Sequence, residues 1–116
     1  ELEATKLHAV AQAVEAGTSQ ALIIDVRTHE EYVHGHVKGA RNAGFLPPWS
    51  FGQRVQPLIE GLPKSKELYV ICLSAHRSIG ALKWLREQGY TNVQQLKGGM
   101  LDWRSKKLPE SLGEEP

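Results

Sequence analysis

The sequence predicts an α/β fold: a central parallel sheet flanked by helices on both faces. Two apolar runs, 21–26 and 68–72, read as strands buried on both sides. Helix-spaced segments lie before, between and after them, so strands and helices alternate along the chain. The chain has 116 residues, 41% hydrophobic and 23% charged, enough for one domain with a real core.

Each element has its own signal. Residues 2–16 form the first expected helix, with Leu7, Val10, Ala11 and Val14 on one face and Gly17 as its stop. The strand 21–26 is broken only by Asp25. Thr28 then opens a short helix, because Thr-x-x-Glu with Glu31 third is the spacing of a capping box. Residues 40–43 read as a short strand after the turn at Gly35 and Gly39. A loop holding Pro47, Pro48 and Trp49 leads into a helix over 51–60, with Val55, Leu58 and Ile59 inward. After the strand 68–72, residues 77–88 form a strong helix with Ile79, Leu82 and Leu85 inward and Gly89 as its left-handed cap. A strand over 93–96 and a helical turn or two over 101–106 complete a domain of residues 1–108. Residues 109–116 read as a polar, frayed tail.

Composition narrows the function. Fourteen Lys and Arg face thirteen Asp and Glu, so nothing electrostatic points to nucleic acid or an anionic membrane as partner. The longest apolar run, 68–73, is far too short to span a bilayer. The chain starts at Glu1 without a leader; a cytoplasmic monomer is expected, with an exported, processed form left open. The single cysteine excludes an internal disulfide, a multi-cysteine zinc site and a resolving cysteine in the same chain.

That cysteine, Cys72, ends the second buried strand, and the next helix starts near Arg77. Ligands of open α/β sheets bind at the carboxyl ends of strands. A helix start offers free amides and a partial positive charge. A thiolate placed there is stabilised. The segment Cys72, Leu73, Ser74, Ala75, His76, Arg77, Ser78 adds one fixed cation, Arg77, and two hydroxyl donors. An accessible, partly ionised thiol is therefore expected. His76 reads equally as an acid or base and as a residue that supplies only its amide.

The loop is similar to the Cys-x-x-Gly-x-Arg-Ser pattern of the rhodanese-like family, through Cys72, Arg77 and Ser78. Asp25-Val26-Arg27, Glu31-Tyr32, Gly35-His36-Val37, Gly39-Ala40 and Asn42 follow that family's first signature, and Gly98-Gly99 with Trp103 its closing one. Ala75 stands where the family usually has Gly. A positive φ there costs Ala on the order of 1 kcal/mol.

The resemblance implies sulfur transfer by double displacement. Cys72 takes the outer sulfur of a donor such as thiosulfate as a persulfide and passes it to a nucleophile such as cyanide or a thiol. The amides of Leu73 to Arg77 cradle the charge. No cofactor or metal is implied. Related phosphatases use Cys-x5-Arg, whereas four residues separate Cys72 from Arg77 here; the shorter ring resembles the sulfur-transferring members. The alternatives are a protein-to-protein sulfur relay, a thiol-based phosphatase or arsenate-type enzyme, and a non-catalytic binding module. Asp25 and Arg27 are expected to support the site, as a structural ion pair, because a buried Asp in an apolar strand needs a partner. His29, His34 and His36 cluster in sequence without a third ligand at clear metal-binding spacing, and His36 reads as structural. Trp84 and Trp103 read as packing residues, and Lys97, Arg104, Lys106 and Lys107 as a basic surface edge.

Overall fold

Alternation along two short strands organises the whole molecule. In β1 (Leu22–Asp25) and β4 (Leu68–Ile71), the side chains of Ile23, Tyr69 and Ile71 enter one apolar cluster, while Ile24, Val26, Leu68, Val70 and Cys72 enter another. Both faces of these strands are thus apolar, and both need cover. On the first face α1 (Ala4–Glu15) and α5 (Gly99–Ser105) supply Leu7, Ala11, Met100 and Trp103. On the second, α3 (Phe51–Ile59) and α4 (His76–Glu87) supply Phe51, Val55, Ile59, Ala81, Leu82 and Leu85. The structure is a computed structural model that describes residues 1–74 and 76–116, apart from the His76 side chain.

The sheet has four parallel strands in the order β3-β1-β4-β5, with β3 at Arg41–Asn42 and β5 at Val93–Gln95. Asp25 registers with Ile71, so β1 and β4 reach their carboxyl ends together. The chain leaves β1 towards β3 on one side and β4 towards β5 on the other. The two connections diverge there, which opens a crevice at the strand ends.

Thr28 caps α2 (His29–Val33) as the spacing predicts: its hydroxyl oxygen accepts from the Glu31 amide at 3.2 Å, and its own amide donates to Glu31 Oε1 at 3.0 Å. A 3-10 turn at Pro48–Ser50 precedes α3, and α5 begins two residues before the expected start at 101.

Two expectations are corrected. Ile79 is 58% exposed; the buried stripe of α4 runs through Ser78, Ala81, Leu82 and Leu85, and Ile79 lies beside it. Close packing sets this rotation: a Cβ on Gly80 would sit 2.3 Å from the Phe45 ring. Residues 109–116 are polar but do not simply fray. β6 (Glu110–Ser111) pairs antiparallel with β2 (His36–Val37). Trp103 Nε1 donates to the Pro109 carbonyl at 3.0 Å, and the Gly113 amide donates to Val33. Charged and hydroxyl side chains hide this strand from a hydropathy reading, since its pairing is made by backbone and by a buried indole.

Candidate active site

Cys72 sits one residue beyond β4, against the α3–α4 face, and is only 1% exposed. The sequence leads to an accessible thiol; the structure places it under cover. Ser74 is exposed, Leu73 and Arg77 are half-buried, and Ser78 is fully buried. Ala75 and the His76 side chain lie outside the described residues, so the expected strain at Ala75 and the role of the imidazole stay with the sequence argument.

The start of the loop is held from behind by α5. The Met100 amide donates to the Cys72 carbonyl at 2.9 Å and the Leu101 amide to the Leu73 carbonyl at 3.1 Å. Two orphan amides at a helix N-terminus are thereby satisfied. In a planar trans peptide the N–H points opposite to the C=O. With both carbonyls turned towards α5, the amides of Leu73 and Ser74 face the other way. Such close approach needs Gly99. It has φ +59°, and a Cβ there would stand 2.4 Å from the Cys72 oxygen and 2.5 Å from the Leu73 oxygen. The sequence marks Gly98-Gly99 as a signature but gives no hint of this contact.

The side chains around the loop are already paired. Arg77 donates to Glu31 with both terminal nitrogens, Nη1 to Oε1 at 2.7 Å and Nη2 to Oε2 at 3.1 Å. The Arg77 hydrogen bond holds the Glu31 carboxyl at about 2, well below its ordinary 4.5, against the opposing effect of burial and with help from Thr28. Glu31 in turn raises the pKa of Arg77. The expected fixed cation is therefore one half of an ion pair. Its partner was legible only as a helix-capping residue, since nothing in the spacing joins positions 31 and 77.

Asp25 and Arg27 form the structural pair that a buried acid requires. Arg27 Nη2 lies 2.7 Å from Asp25 Oδ2 and Nε 3.0 Å from Oδ1, with side chains 2% and 0% exposed. The Arg27 amide also donates to Asp25 Oδ1, and Nη2 reaches the Gly35 carbonyl. Asn42 Nδ2 donates to the carbonyls of Asp25 and Arg27. Together these contacts fix the end of β1 beside the cysteine loop and leave no carboxylate oxygen of Asp25 unused.

Behind the thiol, Cys72 Sγ lies 3.5 Å from Ser78 Oγ, and Ser78 donates to Gln95 Oε1 at 2.6 Å. Gln95 is a residue the sequence did not single out. His36 is buried, stacked on Tyr32 at 3.7 Å, with its ring nitrogens against the Tyr32 and Glu115 carbonyls. His29 faces Glu114. Among the described residues no three His, Cys, Asp or Glu side chains are grouped as a metal site would require, and no helix is long and apolar enough to cross a membrane. Trp84 meets Phe51 edge-on and Trp103 is core. In the basic edge, Arg104 pairs with Glu110 and Lys106 with Asp102.

The model of the rhodanese-like domain matches residues 6–106. The chain belongs to the rhodanese-like domain family. A sulfurtransferase of Allochromatium vinosum is 32% identical over 94 residues, covering 81% of each chain. A tRNA uridine(34) hydroxylase of Sodalis glossinidius is 29% identical over 99 residues, 84% of this chain; this chain spans only 27% of that longer protein. Among solved structures, the Alr3790 protein of Anabaena sp. superimposes with a TM-score of 0.75 at 27% identity, over 96% of this chain and 81% of that one. The parallel sheet with helices on both faces is thus the rhodanese-like fold, in a family that includes sulfurtransferases.

Proposed function

We propose that this rhodanese-like domain is a sulfurtransferase with Cys72 as nucleophile and persulfide carrier. The observation that carries the reading is the loop start pinned by α5, which turns the Leu73 and Ser74 amides away from the Cys72 and Leu73 carbonyls. Thiolate Cys72 attacks the outer sulfur of thiosulfate. The new S–S bond forms as the donor's S–S bond breaks, and sulfite leaves with the electron pair. Cyanide or a thiolate then attacks the outer sulfur of the persulfide and regenerates the Cys72 thiolate. Amides aimed at the terminal sulfur stabilise its charge, and Ser78 supplies a hydroxyl beside Sγ. Arg77 acts through its pairing with Glu31, which fixes the far end of the loop to α2. Asp25 and Arg27 support the strand end and touch no substrate.

The test is intact mass after incubation with thiosulfate. A gain of about 32 Da, removed by cyanide and absent in Cys72→Ser, is the expected result. Sulfur transfer that persists in Cys72→Ser would overturn the proposal.

A protein-fed relay is the second reading. Leu46 and Trp49 are 54% and 87% exposed, and Ile79, one residue beyond Ser78, is 58% exposed. Apolar side chains left in water suit a protein donor or acceptor better than a small anion, and Ile79 directly follows the loop. Faster loading from a persulfide-bearing protein than from thiosulfate, abolished by Trp49→Ala, is the signature of a relay.

A further inference from the structure

His36 is fully buried, with a backbone carbonyl oxygen against each of its ring nitrogens. Nδ1 lies 2.8 Å from the Tyr32 oxygen and Nε2 2.7 Å from the Glu115 oxygen. A backbone carbonyl only accepts, and a neutral imidazole carries one N–H; only the imidazolium donates at both nitrogens. In the neutral ring, one nitrogen turns a lone pair on a carbonyl oxygen at hydrogen-bond distance. The two contacts differ in what holds them. The Tyr32 carbonyl belongs to α2, and the Tyr32 ring also stacks on the imidazole at 3.7 Å. Ser111 is held by β6, in register with His36. Glu115 lies four residues beyond that pairing and is exposed, so it is the partner able to leave.

We propose that residues 113–116 form a proton-dependent clasp: charged His36 holds the Glu115 carbonyl, and loss of its proton releases the tail. The docked state binds one proton more than the released state, so docking is favoured at low pH and lost as pH rises. The charged groups around the ring leave this switch to His36. Arg27 and Arg104 both reach the carbonyl of Gly35, the residue before His36, and each is paired with its own acid, Asp25 and Glu110. Arg41 of β3 and Glu114 of the tail lie close enough to Tyr32 to act on its hydroxyl. Glu114 also pairs with His29 at 2.7 Å, but these side chains are 65% and 64% exposed, so water screens that pair. When docked, Glu114 and Pro116 wall a hollow of about 280 Å³ beside α2 and β3, with Tyr32, Arg41, Asn42 and Leu58 on its other sides. Release takes that wall away.

The test is NMR on the full chain at about pH 5 and about pH 8, the span in which histidine side chains change charge. The Gly113 amide donates to the Val33 carbonyl at 2.8 Å and reports whether the tail is docked. Its exchange with water, divided by the unfolded-chain rate at the same pH, gives a protection factor. The expected result is roughly five-fold lower protection at the higher pH, the size of one lost hydrogen bond, while the amides of β4 keep theirs. The His36 ring signals should show two N–H groups at the lower pH and one at the higher. His36→Gln, which cannot titrate, should flatten the pH dependence. Glu114→Gln, which removes the pair with His29, should leave it in place. Equal Gly113 protection at both pH values, or a His36 ring with a single N–H throughout, overturns the proposal. So does a pH dependence that disappears in Glu114→Gln, since His29 would then be its source. If His36→Gln does not fold, the ring signals and the Glu114→Gln variant decide by the same criteria.

Discussion

Replacing Gly99 by Ala separates the two costs that meet at this residue. The first is conformational: φ is +59°, and an L side chain there costs roughly 1–2 kcal/mol. The second is contact. The new Cβ would stand 2.4 Å from the Cys72 carbonyl oxygen, whereas ordinary contact begins at 3.4 Å, so the loop and α5 must part by 1.0 Å. That separation strains or breaks the bonds from Met100 and Leu101, each worth about 0.5–1.5 kcal/mol. The expected total is about 2–5 kcal/mol in urea unfolding. The catalytic consequence should be larger than the stability loss suggests, because a displacement of about 1 Å in a positioned group costs on the order of 100-fold in rate. Gly17→Ala is the control: φ is +77°, with nothing within 4 Å of the added Cβ. It should lose only about 1 kcal/mol and keep full sulfur-transfer activity. If Gly99→Ala matches Gly17→Ala in both stability and rate, α5 does not template the loop and the reasoning fails.

Further outcomes follow from the ion pairs and the terminal strand. The folded-state pKa of Glu31, about 2, lies below its ordinary 4.5, so the stability it contributes is complete above the ordinary value and disappears as pH falls towards 2. Glu31→Gln should therefore destabilise the protein by about 1 kcal/mol near neutrality, allowing for partial exposure of the pair. That deficit should vanish between pH 5 and 2 in denaturant titrations; a deficit constant with pH would refute the assignment. Asp25→Asn leaves the buried Arg27 guanidinium without its counter-charge and should cost about 3–5 kcal/mol. The paired change Asp25→Leu with Arg27→Met should recover much of that loss in the same unfolding assay; no recovery would mean the cost is not electrostatic. Removing residues 110–116 deletes β6 and the Glu110 partner of Arg104. It should lower the melting temperature measurably, whereas an unchanged melting curve would return this segment to the status of a passive tail.

What the sequence disclosed and what it withheld divide along a physical line. Runs such as 68–72 and the 3.6-residue stripe of α1 are local patterns, and they sufficed to define the sheet and its covered faces. The capping box at Thr28 was legible for the same reason. Asp25 announced a partner because a lone acid in an apolar strand is costly, and Arg27 stood two residues away. The pairing of Glu31 with Arg77 joins residues 46 apart in sequence, and Gln95 reaches Glu1 across 94; no local period encodes either. Burial of Cys72 was missed because a strand end reads as an opening when the elements packed around it are not known. Ile79 was misplaced by one step around α4 because the stripe is set by Phe45 against Gly80, a contact between distant segments.

Leu2 has a consequence for solubility. A parallel sheet presents two outer edges whose unpaired backbone groups can recruit strands from other molecules. Here β3 is only two residues long, too short to template a stranger. The β5 edge is closed by the chain itself, since Leu2 takes up the Gln95 carbonyl and the Lys97 amide. The segment that carries Glu1 to Gln95 is thus also a guard strip, and its loss would turn the flank of the sheet into an adhesive surface.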